Sequence, residues 1–189
     1  MSNVTALLDA NVLYPAPIRD LLLQLAVEDI FGAKWTGTIH GEWIEALLRN
    51  EPQRQRAALE RTRTLMDTAV RDALITGYEA LIETLELPDP DDRHVLAAAI
   101  VGRCDVIVTQ NPHDFPVDTI KIYGIEAQHP DDFLASHLLR FPGRFCVAIR
   151  KVRARLKNPP YSVSDYLAVL TRQGLVVTVS ELGQYSELI

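Results

Sequence analysis

The sequence predicts an α/β protein built on a central parallel sheet, with a mainly helical appendage at its C-terminal end. Three observations carry that expectation. Two short apolar runs, residues 4–8 and 105–108, have the length and continuity of strands buried on both faces. Each run passes directly into polar residues, Asp9 after the first and Thr109 to Asp114 after the second. Between and after them, apolar residues recur at helical spacing, and this alternation stops near Arg140.

At 189 residues and 48% hydrophobic, the chain is long enough for one well-buried domain with a small addition. We place the division at residues 1–139 and 140–189. No apolar run approaches membrane-spanning length, and Met1-Ser2-Asn3-Val4 shows no basic stretch followed by an apolar core. The expectation is therefore a cytoplasmic protein without signal peptide or membrane partner. Cys104 and Cys146 lie far apart in apolar surroundings, which suits buried thiols rather than a zinc or redox pair.

The elements follow in order. Residues 4–8 form a strand whose end presents Asp9, either as a site carboxylate or as the cap of the next helix. Residues 17–31 carry Ile18, Leu21, Leu22, Leu25 and Ile30 on one helical face, with Pro17 suited to a first turn. Residues 32–36 read as a turn with at most a very short strand. Helical spacing resumes over 38–48, where Glu42 falls beside the apolar face and Glu45 farther round. A longer, arginine-rich helix spans about 52–70, and a short one 77–85 is closed by Pro88.

Then comes Leu87-Pro88-Asp89-Pro90-Asp91-Asp92, an acidic turn leading into an alanine-rich helix that reaches about Arg103. Acids favour helix N-termini, but three aspartates in four residues exceed what one cap requires. Residues 105–108 are the clearest strand, 119–123 a further strand or a turn, and 126–129 an edge strand before a helix over 130–139. The appendage reads as a basic helix to about Lys157, a break at Asn158-Pro159-Pro160, a helix over 162–173 ended by Gly174, and a strand-like run, Leu175 to Val179.

The net charge of −6 disfavours nucleic acid as a partner only if charge is evenly spread, and it is not. Arg140, Arg144, Arg150, Lys151, Arg153, Arg155 and Lys157 form a stretch without acids, and Arg49 to Arg63 form a second basic cluster. Either these are solvated helix faces, or they meet phosphates. In parallel topology the two strand ends and the helices above them would gather Asp9, Glu42, Asp92 and either Asn111 or Asp114. Oxygen ligands without cysteine favour Mg²⁺ or Mn²⁺, which can polarise a phosphodiester and activate water. His94 and His113 read as a surface-helix and a loop histidine, because such sites seldom need imidazole. Thr109 reads as a supporting hydrogen-bonding group, and Asp89, Asp91 and Asp105 as turn, cap and strand-start residues.

The chain resembles a PIN-domain ribonuclease, similar to the VapC-type toxins of bacterial toxin–antitoxin pairs. The resemblance covers roughly residues 4–139. It rests on Leu8-Asp9-Ala10-Asn11-Val12-Leu13, the helical Glu42, Asp92-Arg93-His94-Val95-Leu96-Ala97-Ala98-Ala99, and Val108-Thr109-Gln110-Asn111-Pro112-His113-Asp114-Phe115. It implies a PIN-like three-layer α/β/α fold and a metal held by Asp9, Glu42 and Asp92, with Asn11 and Thr109 supporting. Many members carry Asp where this chain has Asn111; others pair Asn there with an acid three residues on. Asp114 is accordingly favoured as the fourth acid, with Asn111 an oxygen ligand or orienting group.

The resemblance further implies RNA as substrate, a homodimer, and a small protein antitoxin blocking the acidic cleft. Arg150, Lys151, Arg153, Arg155 and Lys157 are the expected RNA-binding residues. The alternatives are a non-catalytic PIN-like binding module, a DNA-directed nuclease, and a phosphotransfer or nucleotide-binding protein. The last lacks support, since no glycine-rich phosphate loop or paired-aspartate motif follows the first strand.

Overall fold

A computed structural model describes residues 3–189; Met1 and Ser2, the head of the segment read as free of a signal peptide, lie outside it. Five parallel strands stand in the order β3-β2-β1-β4-β5. They are β1 (Thr5–Leu8), β2 (Gly32–Thr36), β3 (Leu74–Ile75), β4 (Val106–Val108) and β5 (Glu126–Gln128). The two central runs are strands for the expected reason: Ala6, Leu7 and Leu8 are fully buried, as are Ile107 and Val108.

Helices α1 (Ala10–Leu13) and α2 (Ala16–Val27) join β1 to β2, and α3 (Gly37–Asn50) and α4 (Arg56–Ala69) join β2 to β3. Helices α5 (Glu79–Ile82) and α6 (Arg93–Val101) lead back to β4, and α7 (Val117–Ile120) leads to β5. The chain thus moves outward from β1 through β2 to β3, then jumps to the other side of β1. Right-handed crossovers put α2 to α4 on one face and α5 to α7 on the other. Helices α2 and α3 pack on β2, and α6 packs on β1 and β4. The fully buried Ala97, Ala98 and Ala99 let α6 approach the sheet closely. Between β1 and β4 the direction of winding reverses, and at such a point the strand ends leave a crevice.

Beyond the sheet, α8 (Pro130–Arg140), α9 (Pro142–Arg155), α10 (Val163–Arg172) and α11 (Val176–Leu182) complete the chain. Helix α9 lies along α2 and α11 against α8. Phe31 and Phe133 meet edge to face with centroids 4.9 Å apart, tying α8 to the start of β2. Among the described residues no helix is long and apolar enough to cross a membrane.

Three expectations need correction. The run Leu175 to Val179 belongs to helix α11, not to a strand. In its first turn the backbone N–H groups of Val177 and Thr178 donate to the Asp131 carboxylate, each at 2.8 Å. That anion at a helix N-terminus, with Leu175, Thr178 and Leu182 buried at helical spacing, overrides the β-branched preference. Residues 119–123 are neither strand nor simple turn: they hold the end of α7 and a 3-10 turn, Lys121–Tyr123, stopped by Gly124 at φ 72°. Residues 32–36, read as little more than a turn, form the strand beside β1, while the two-residue β3 escaped the pattern altogether.

Candidate active site

Asp9 stands where β1 gives way to α1, with its backbone N–H bonded to the Val108 carbonyl at the end of β4 (3.1 Å). It caps α1 and lines the crevice at once. One oxygen accepts the Ala10 N–H at 2.6 Å; the other accepts the Asn11 amide and the Thr109 hydroxyl, both at 2.8 Å. The Asn11 side chain also donates to Thr109 Oγ1 (2.9 Å) and accepts from the Gln110 N–H (3.0 Å). Asn11 and Thr109 therefore stitch the two strand ends together across the crevice and hold the Asp9 carboxylate in one orientation. Asp9 is 6% exposed. Burial raises its pKa, bonds from Thr109 and Ala10 oppose the rise, and the Glu42 charge adds to it.

The facing wall is looser. Thr36, the last residue of β2, caps α3 by accepting the Ile39 N–H at 3.0 Å, and Glu42 follows on that helix. Glu42 is exposed and lies 2.8 Å from His94 Nε2. Asp92 precedes α6 but its side chain caps nothing; Asp89 takes that work, accepting the Asp91 N–H at 2.9 Å. The Asp92 carboxylate is thus left free. Its pKa is pushed up to about 6, first by partial burial and then by the charges of Asp9, Asp114 and Asp89. Among the described residues neither Asp9 nor Asp92 has a cationic side chain in ion-pair contact.

Asp9, Glu42 and Asp92 line one cavity of about 440 Å³ together with Asn11, Tyr14, Trp43 and Asn50. Asp114 is half-buried on the 3-10 turn Pro112–Asp114, outside that lining but close enough for its charge to act on Asp92. Asn111 is exposed; its backbone serves the turn, donating to Thr109 Oγ1 (3.2 Å) and accepting the Asp114 N–H (3.1 Å). None of Arg150, Lys151, Arg153, Arg155 and Lys157 lines the cavity. Lys151 pairs with Glu28 at 2.6 Å, Arg153 donates to the Tyr161 carbonyl at 3.2 Å, and Arg155 to Gln24, while Arg150 and Lys157 stay exposed.

Sequence reasoning missed several neighbours. His94 is not a surface histidine: its side chain is 12% exposed and it bridges α6 to Glu42 on α3. Burial lowers its pKa, but the Glu42 bond and the charges of Glu42, Asp9 and Asp92 outweigh that and raise it overall. Its position two residues after Asp92 was the available signal. Tyr14 and Asn50, joined by a 3.0 Å bond from the Asn50 amide to the Tyr14 hydroxyl, gave none beyond Tyr14's closeness to the Asp9 motif.

The donor set suits a hard divalent cation. Among the described residues no three acidic, histidine or cysteine side chains stand close enough to make a ready cage. The carboxylates instead surround open space, as fits Mg²⁺ or Mn²⁺, which keep much of their water and take few protein oxygens. The uncapped, mutually repelled Asp92 is the group such a charge would relieve.

Comparison with known proteins matches two separate stretches of the chain. A family model described as "PIN domain" matches residues 5–113, and one described as "VapC50 C-terminal domain" matches residues 130–184. Over 101 residues the chain is 39% identical to "Putative ribonuclease VapC50" of Mycobacterium tuberculosis. That stretch is 53% of this chain and 59% of the relative, so the match spans little more than half of either. No solved structure matches the chain significantly.

Proposed function

The chain belongs to the PIN-domain family, and from that premise we propose that it is a divalent-metal-dependent endoribonuclease acting as the toxin of a toxin–antitoxin pair. The observation that carries this reading is the gathering of Asp9, Glu42 and Asp92 from three elements around one cavity at the winding reversal. The likeness to a relative named as a ribonuclease supports RNA as the substrate. In the same reading residues 1–139 carry the chemistry, residues 140–189 wall and brace them, the protein works as a homodimer, and a small protein antitoxin covers the cleft.

Asp9 and Asp92 would hold Mg²⁺ or Mn²⁺, with Glu42 on the open side and Asp114 or Asn111 completing the set. Bound there, the metal supplies Lewis-acid polarisation of the phosphodiester and a more acidic water. The protein's own part is placement. Asn11 and Thr109 fix the Asp9 oxygens before substrate arrives, so no reorganisation is left for the reaction itself. His94 holds Glu42 against free rotation on an exposed helix face. Exposed Arg150 and Lys157 are available to phosphates; Lys151, Arg153 and Arg155 act through the helix they anchor.

Induced expression with mapping of new RNA 5′ ends tests this, wild type against Asp92→Asn. New ends should appear with the wild type alone, and purified wild type should lose cleavage on chelation. Equal cleavage by the variant would overturn the reading.

A further inference from the structure

A second cavity, about 280 Å³, opens beside the acidic one, and Tyr14 lines both. Its other walls include Ala16, Arg19, Glu51, Arg54 and Gln173. Helix α2 begins here, twelve residues long, with Pro15 as an N-cap that offers no side-chain bond and no acid in its first turn. No acid answers its positive end, although Pro15 and Pro17 carry no N–H and leave only Ala16 and Ile18 as backbone donors there.

Arg19 adds a second, independent sign of a missing anion. It is 7% exposed, it donates to the Leu13 carbonyl at 2.7 Å, and its guanidinium lies 4.9 Å above the Trp43 ring. Its Nε has no hydrogen-bond partner, and among the described residues no carboxylate comes within ion-pair distance of it. Asp20, next in sequence, acts on it only through space. A buried cation held only by backbone carbonyls, Leu13 and Tyr14, with no counter-ion in contact is costly, and an anion in the cavity would relieve that cost. Arg54 brings further positive charge, near enough that it acts on Arg19. In the free protein Arg54 is occupied by Glu51 at 2.8 Å, a half-exposed pair of small worth that an incoming anion can displace.

Resting on the nuclease reading above, we propose that this cavity is a phosphate-binding subsite that grips the RNA backbone next to the bond being cut. A strand with one phosphate at Asp9 and Asp92 would pass Tyr14 and set a neighbouring phosphate between the α2 N-terminus, Arg19 and Arg54. A phosphodiester suits paired guanidinium donors beside a helix N-terminus. Gln173, from the C-cap of α10, makes the C-terminal helices part of this wall.

The test uses a short, non-cleavable 2′-O-methyl RNA, its binding followed by fluorescence anisotropy across a salt series on full-length protein. Arg54→Ala removes an exposed side chain and should weaken binding about tenfold and flatten the salt slope by about one unit. Glu51→Gln should tighten binding a few-fold. Arg71→Ala, which precedes β3 at the N-terminal end of the parallel strands, away from the strand ends that face the cavity, should match wild type. Because the probe cannot be cut, these results stand whether or not the wild type cleaves RNA. Arg54→Ala indistinguishable from Arg71→Ala would overturn the subsite while leaving the nuclease reading intact. Inorganic phosphate binding that depends on Arg54, with RNA binding that does not, would also overturn it, in favour of free phosphate.

Discussion

Asp9 and Asp131 are buried alike, each 6% exposed, and each has both oxygens engaged by donors within 2.8 Å. Their company differs. Asp131 faces the N-terminus of α11, whose backbone N–H groups answer its charge within the protein. Asp9 shares a cavity with Glu42 and Asp92, and among the described residues no cationic side chain pairs with it. Burial and a full set of hydrogen bonds do not separate the carboxylate proposed to work from the structural one; surplus charge of one sign sets Asp9 apart.

Exchanging the two roles gives the sharpest break. Asp9→Asn keeps the shape and most of the hydrogen bonding, so circular dichroism should be unchanged while initial rates of RNA cleavage fall at least about 1000-fold, roughly 4 kcal/mol. Asp131→Ala should do the reverse. It strands the buried N–H of Thr178 and the part-buried N–H of Val177 and removes a charge-assisted cap, for a loss of about 2–3 kcal/mol and a melting temperature about 5–10 °C lower, with cleavage retained below the transition. Cleavage lost equally in both variants would dissolve the contrast.

A smaller effect concerns Asp92, whose folded pKa of about 6 lies above its ordinary value of 3.8. The folded protein binds the proton more tightly than the unfolded chain. The stability this contributes is complete below about pH 4 and disappears as pH rises through about 6. Without divalent metal, Asp92→Asn should therefore melt with wild type near pH 4 and above it at neutral pH, by about 1 kcal/mol. Millimolar Mn²⁺ should close that gap by stabilising the wild type. Thermal melts at the two pH values decide it; a gap of opposite sign would mean that Asp92 is not under repulsion.

The central strands and Asp9 were legible because a continuous apolar run that stops at a carboxylate is what a buried parallel strand with a polar end must look like. Asp92 was legible through its place in the motif, since nothing local separates it from Asp89 and Asp91. That Asp89 caps the turn while Asp92 caps nothing is a matter of coordinates. The strand expected at Leu175 to Val179 failed because Asp131, 46 residues before Val177, supplies the helix N-terminus with its anion. The basic run was legible as charge but not as contact: part of its work is to bind α9 to α2 through Glu28 and Gln24. Chemistry alone gives the His94 imidazole no task, whereas geometry gives it Glu42.

Thr36 turns chain length into a constraint on the site. Because the last residue of β2 fixes where α3 starts, the stretch from Thr36 to Glu42 acts as a ruler of fixed phase. Each residue added or removed between them would swing the glutamate about 100° around the helix axis, away from Asp9 and His94. Side chains along that stretch are free to vary within their packing, but its length is not. Among relatives, an insertion there would mark a chain that has given up Glu42, even where every acidic letter is still present.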